Sequence, residues 1–203
     1  MEFRCYDPPA FARLRVPELW RRYANLLTWG RGQCLAILDD GCDLTVPEWQ
    51  APLPWGESKV IACYNAFDRN DDPTPVPPGY HGTTQGFSSS LNHNGILGIA
   101  YNDYVAHVRC VTIVHLTQDE SATMADGLQW VINHHRQHRI TAVNLSPLDD
   151  QPHAGPVPSA IDAKLRRLRE LNLWVSAPCG NNNHTTGISW PACQPDCFAI
   201  GAT

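Results

Sequence analysis

The sequence has no run approaching the ~18–20 consecutive apolar residues that a membrane-spanning helix needs. Its opening, MEFRCYDPPAFARLRVPELWRRY, has no apolar core of the kind a secretory signal requires. No block of basic residues stands out and the formal net charge is −5, which argues against nucleic acid as the main partner. The nearest thing to a basic cluster, Leu165-Arg166-Arg167-Leu168-Arg169, alternates with leucine at helical spacing and reads as the solvated face of a helix. Internal repeats and low-complexity tracts are absent as well.

What is present fits one domain of ordinary size, or most of a larger one: 203 residues, 43% hydrophobic and 17% charged. That balance supports a sizeable core and argues against disorder. Eight cysteines, at 5, 34, 42, 63, 110, 179, 193 and 197, suit free buried thiols as well as disulfides. Cys193-Gln-Pro-Asp-Cys197 lacks a matching second half and reads as structural rather than as a metal site.

Residues 1–32 read as a helical, peripheral segment, with a helix opening at Pro17 and closing at Gly30-Arg31-Gly32. From residue 33 strands and helices alternate. Short apolar runs at 33–38, 60–64, 140–146, 173–177 and 197–201 predict strands, and the β-branched stretch 104–115 another. Helices are expected after His81, over 122–135 with Ser121 as N-cap, and over 158–172 with Ile161, Leu165, Leu168 and Leu171 inward. Residues 69–80, rich in Pro and Asp, form a loop. This order predicts βαβ crossovers, a mainly parallel sheet and helices on its faces. Working residues in such a sheet gather at the carboxyl ends of strands.

Three polar residues fall at such places. Asp39 ends the first long strand, His81 opens a helix within Gly79-Tyr80-His81-Gly82-Thr83-Thr84, and Asn181 follows the strand at 173–177. A carboxylate can orient an imidazole, the imidazole can act as general base toward a hydroxyl, and an Asn amide can donate to an oxyanion. That is a kit for acyl transfer, apart from the nucleophile. The bland alternatives are ordinary: Asp-Asp-Gly is common turn chemistry, and a lone loop histidine or an Asn-Asn-Asn loop needs no function. His134, His135 and His138 lie at helical spacing but have no carboxylate or cysteine nearby at matching spacing. They read as the exposed end of a helix, favoured there by the dipole, rather than as a metal site.

These residues carry a resemblance. Ala36-Ile-Leu-Asp39-Asp40-Gly41, His81-Gly82-Thr83, Asn94-Gly95-Ile-Leu-Gly98-Ile-Ala100, Ala142-Val-Asn144-Leu-Ser146, Cys179-Gly180-Asn181 and Ala199-Ile-Gly201-Ala202 come in the order of the motifs of subtilisin-like serine peptidases. The resemblance covers residues 33–203, with Asp before His as in that family. It implies an α/β three-layer fold, a mainly parallel central sheet with helices on both faces, incomplete at its C-terminus. It implies that Asp39 orients His81, that His81 is general acid and base, and that Asn181 donates to the oxyanion. Ser146 and Gly180 would then bind substrate, Ser146 on the strand edge that an extended peptide joins. The expected partner is a peptide or protein substrate. The chemistry needs no cofactor, and the resemblance allows a structural calcium without locating it.

The chain departs from the family in several places. Gly-Thr-Ser, the nucleophile motif that the family carries well downstream of the oxyanion Asn, occurs nowhere, and 22 residues follow Asn181. Ser189, in Gly187-Ile-Ser-Trp190, does not match it. Pro147 follows Ser146 and removes one backbone donor. Pro178-Cys179 precedes Gly180 where the family has Ala-Ala, and no pro-domain is recognisable. The expectation is a serine endopeptidase whose nucleophile lies beyond residue 203, so that this chain alone is inactive. The alternatives are a non-catalytic peptide-binding or scaffold protein on a partial fold of this type, and a truncated remnant. Nothing in the sequence fixes the compartment.

Overall fold

Val, Ile, Leu, Ala and Cys fill the central strands on both sides, the pattern of a sheet covered on both faces. In the computed structural model, which describes residues 4–202, the elements run in the order β1 (Arg4–Cys5), α1 (Pro8–Arg13), α2 (Val16–Arg22), β2 (Cys34–Asp39), α3 (Pro47–Gln50), β3 (Val60–Asn65), α4 (His81–Gln85), α5 (Phe87–Ser90), β4 (Asn92–His93), β5 (Ile96–Leu97), β6 (Tyr104–Arg109), α6 (Ser121–His138), β7 (Ile140–Leu145), α7 (Asp162–Glu170), β8 (Trp174–Pro178) and β9 (Phe198–Ile200). Six strands make one sheet in the order β3-β6-β2-β7-β8-β9. Every neighbouring pair in it is parallel. A small second sheet joins β1, β5 and β4.

Alternation along β2 divides its side chains between two cores. Ala36 and Leu38 join Met124, Leu128 and Val131 of α6 and Leu165 and Leu168 of α7. Ile37 joins Trp49 of α3 and Val105 on the other face, with Phe87 of α5 packed against them. With β6 on one side and β7 on the other, β2 is the best-held strand, and its end at Asp39 is fixed by the register Leu38↔Val108 and Leu38↔Leu145.

Several elements are shorter than the sequence predicts. The stretch 104–115 leaves the sheet after Arg109, because Arg109 already pairs with Asp39 and Asn65, the last residues of its two neighbours. Ser121 lies inside α6; Glu120 holds the N-cap position, and the Ser121 amide donates to Asp119 Oδ1 (2.9 Å). The helix runs on to His138 and closes with Arg139 in the left-handed region. α7 begins at Asp162 rather than 158, since the Ser159 amide and hydroxyl both donate to the Asp162 carboxylate (3.1 and 2.8 Å). α2 stops at Arg22, and hydrogen-bonded turns fill the stretch to Gln33 where the helix was expected to continue. The helix after His81 breaks at Gly86, where a Cβ would lie 2.6 Å from the Trp49 ring and 2.7 Å from Ile37 Cδ1.

All eight cysteines are free thiols. No helix among the described residues is long and apolar enough to cross a membrane.

His107 of β6 is 1% exposed, lies edge-on to Trp49, and its Nε2 has no hydrogen-bond partner. Burial alone drives its pKa down to about 3. Such a group is neutral when folded and takes a proton only on unfolding. Its contribution to stability is therefore complete above pH 6.5 and lost as pH falls through the window toward 3. At pH 4.5 this one group should cost about 3 kcal/mol. Urea denaturation at pH 7 and 4.5 checks this: His107→Leu should remove most of that difference.

Candidate active site

Three strand ends and one short helix build the site. The Asp39 side chain is 1% exposed, and both its oxygens lie within reach of His81 Nδ1, at 3.0 and 2.9 Å. The imidazole itself is about one-third exposed and stands on the wall of a cleft of about 330 Å³. On its far side the Gln85 side-chain amide donates to Nε2 (2.9 Å). Nε2 therefore carries the lone pair and Nδ1 the proton that Asp39 accepts, the tautomer a general base needs.

Opposing effects set the charge of His81. Burial lowers its pKa, while the hydrogen bond it donates to Asp39, the charge of Asp39 and the charge of Asp40 raise it, and the net shift is upward from the ordinary histidine value. Stability gained from the protonated pair is thus present below about pH 6.5 and is lost as pH rises through the folded-state pKa.

Asn181 and Ser146 line the same cleft as His81. Gly180 stands before Asn181 with φ +114. The Ser146 hydroxyl accepts from Asn144 Nδ2 (2.7 Å). Ser189 is fully buried, with its Oγ 2.5 Å from where a Cβ on Gly180 would sit. It is not among the residues lining the cleft. His134 and His138 lie elsewhere, stacked on Trp130 beside a different cavity of about 730 Å³. Among the described residues no group of three or more His, Cys, Asp or Glu side chains is arranged to hold a metal ion.

The strand edge at Ser146 is partly used within the chain. The Ser146 amide donates to Leu38 O (3.3 Å), the Leu148 amide to Val114 O (2.9 Å), and the Leu116 amide to Leu148 O (2.9 Å). His115, on the cleft wall, pairs through Nδ1 with Asp150 (2.6 Å).

Asp40, Gln85 and His115 escaped sequence reasoning. The first reads locally as a turn residue. Only the four-residue spacing on a helix hints that Gln85 meets His81. Nothing in the sequence joins His115 to Asp150.

No family model matches the chain. A subtilisin-like protease of Coccidioides posadasii is 24% identical over 174 residues, 86% of this chain and 39% of that protein. An intracellular serine protease of Paenibacillus polymyxa is 22% identical over 205 residues, 96% of this chain and 55% of that protein. The solved self-cleaved protease domain of PatA superposes with a TM-score of 0.64 at 20% identity, covering 87% of this chain and 60% of that one. The fold is that of the subtilisin-like serine proteases. The chain spans less than two thirds of the length of each of these relatives.

Gly82 tests how tightly the subtilisin-like frame seats the imidazole. A Cβ there would lie 2.7 Å from Asp39 Cβ and would run into the Gly41 carbonyl. Gly82→Ala should destabilise the fold by about 1–3 kcal/mol through overpacking. It should also weaken the Asp39–His81 contact, read as loss of the low-field Nδ1 proton resonance.

Proposed function

We propose that the chain is the Asp–His and oxyanion part of a serine endopeptidase of subtilisin type. The observation that carries this reading is the Asp39–His81 bond, with His81 on the wall of the cleft that Asn181 also lines. In this reading a serine hydroxyl from outside residues 4–202 replaces the Gln85 amide at Nε2. His81 takes its proton as the oxygen attacks the peptide carbonyl, and Asp39 stabilises the imidazolium that forms. The Asn181 amide donates to the oxyanion, a contribution of ~10²–10³ in turnover in the subtilisin that serves as the general example of this effect. His81 then returns the proton to the leaving amine, and water resolves the acyl-enzyme by the same route in reverse. Ser146 and Gly180 lie along the acyl side of the substrate. The substrate is a peptide or protein.

A second reading has one observation in its favour. Gln85 already occupies the hydrogen-bonding position at Nε2 where a nucleophile would stand, as it would in a non-catalytic peptide-binding protein on the same frame.

Fluorophosphonate labelling separates the two. The 203-residue chain should remain unlabelled. The product of the whole reading frame should be labelled, with the label lost in His81→Ala. Asp39→Asn in that product should lower turnover about 10⁴-fold. A whole-frame product that resists labelling but binds peptide equally well in the parent and His81→Ala forms would establish the second reading. Labelling of the 203-residue chain itself, abolished by His81→Ala, would overturn the view that the nucleophile comes from elsewhere.

A further inference from the structure

The residue after Asp39 is a second buried carboxylate that the triad chemistry does not use. Asp40 is 2% exposed. Its side chain accepts three backbone hydrogen bonds from the segment that carries the histidine: Tyr80 N to Oδ2 (3.0 Å), His81 N to Oδ2 (3.1 Å) and Gly82 N to Oδ1 (2.8 Å). A turn aspartate would bond its own backbone two residues on. These bonds reach a different segment, across about forty residues of chain.

α4 explains why that segment needs outside help. It is five residues long, and Tyr80 at its N-cap position makes no side-chain cap bond. Its first amides would otherwise lack partners within the helix. The approach is close as well: a Cβ on Gly79 would lie 3.2 Å from Asp40 Oδ2. Burial pushes the Asp40 carboxyl above its ordinary pKa range, and the amides of Gly82 and His81 pull it back. A buried carboxylate is costly to keep charged unless it is hydrogen-bonded, and here the bonds come from the backbone of the histidine and of its two chain neighbours.

We propose that Asp40 is a positioning residue for His81, its carboxylate holding the Tyr80, His81 and Gly82 amides and so setting where the imidazole stands between Asp39 and the cleft. Asp39 fixes the ring and Asp40 fixes the backbone that bears it. The inference rests on His81 being the acid–base group.

The test uses the 203-residue chain and needs no activity. Parent, Asp40→Asn, Asp40→Ser and Asp39→Asn proteins are compared by the low-field Nδ1 proton of His81, by its titration, and by amide exchange at residues 80–82 relative to Leu38, Val108 and Leu145 in the sheet. Asp40→Asn should broaden or lose the Nδ1 proton and speed exchange at 80–82 at least about tenfold, with the sheet amides little changed. Asp40→Ser, whose shorter side chain withdraws its one acceptor from all three amides where Asn keeps a carbonyl oxygen in place, should speed exchange at 80–82 further. A shifted titration midpoint with the Nδ1 proton and the 80–82 protection both retained would mean that Asp40 acts by charge alone, and would overturn the proposal. Loss of protection throughout the sheet in both Asp40 variants would make it a residue of the fold and overturn the proposal equally. If Asp39→Asn also leaves the Nδ1 proton and titration unchanged, the Asp39–His81 reading itself fails, an outcome distinct from failure at Asp40 alone.

Discussion

Two adjacent carboxylates at the buried end of β2 must both be satisfied, and much of the surrounding structure follows from that. Asp39 and Asp40 are each almost fully buried, and neither is in a salt bridge with Lys or Arg. Unpaired buried charge is costly, so partners have to come from neighbouring chain. The loop from 79 to 82 brings them: an imidazole for Asp39 and three amides for Asp40. Gly82 allows the approach, because any side chain there would strike the backbone at Gly41. Because β2 is bonded on both sides, to β6 and β7, the carboxylates cannot retreat. The histidine is located by a strand it does not belong to.

The same frame places the rest of the cleft. The ends of β7 and β8 supply Ser146 and Asn181 to the wall facing His81, as expected where parallel strands end at their carboxyl side. The apolar side of the cleft includes Trp174 and Ile200. Both are about half exposed, as is Phe198, which stacks on Trp174. This edge of the sheet is the least covered part of the core elements.

The sequence was most legible where burial alone dictates residue type. Cys34–Asp39 and Ile140–Leu145 had to be strands because their apolar runs are too short for helices and end in turn residues. Asp39, His81 and Asn181 could be singled out because each sits at the end of such an element, and the structure brings Asp39 and His81 into contact and lines one cleft with His81 and Asn181. The reading failed where the answer lies in another segment. β-branched residues continue past Arg109, but the strand stops because its neighbours stop. Ser121 looks like a helix cap, yet Glu120 holds that position, with its carboxylate accepting from the Thr112 amide and hydroxyl. Asp40 looks like half of a turn, and its partners lie about forty residues away. Local pattern reports burial and propensity; it does not report which distant amide is looking for an acceptor.

The strand edge next to the cleft constrains how any extended peptide could be held. Pro147 has no N–H to offer. The amides of Ser146 and Leu148 already donate within the chain, and Leu148 O already accepts from Leu116. A peptide adding here by main-chain pairing must displace the contact between the 114–116 and 148 segments, which the His115–Asp150 pair also ties. Exchange of one set of backbone hydrogen bonds for another is close to neutral in net free energy, because each bond gained replaces one lost. Pairing along this edge can therefore set the direction and register of a peptide but adds little affinity. What binding strength there is must come from side-chain contacts along the apolar side of the cleft, where Trp174 and Ile200 leave surface to be covered.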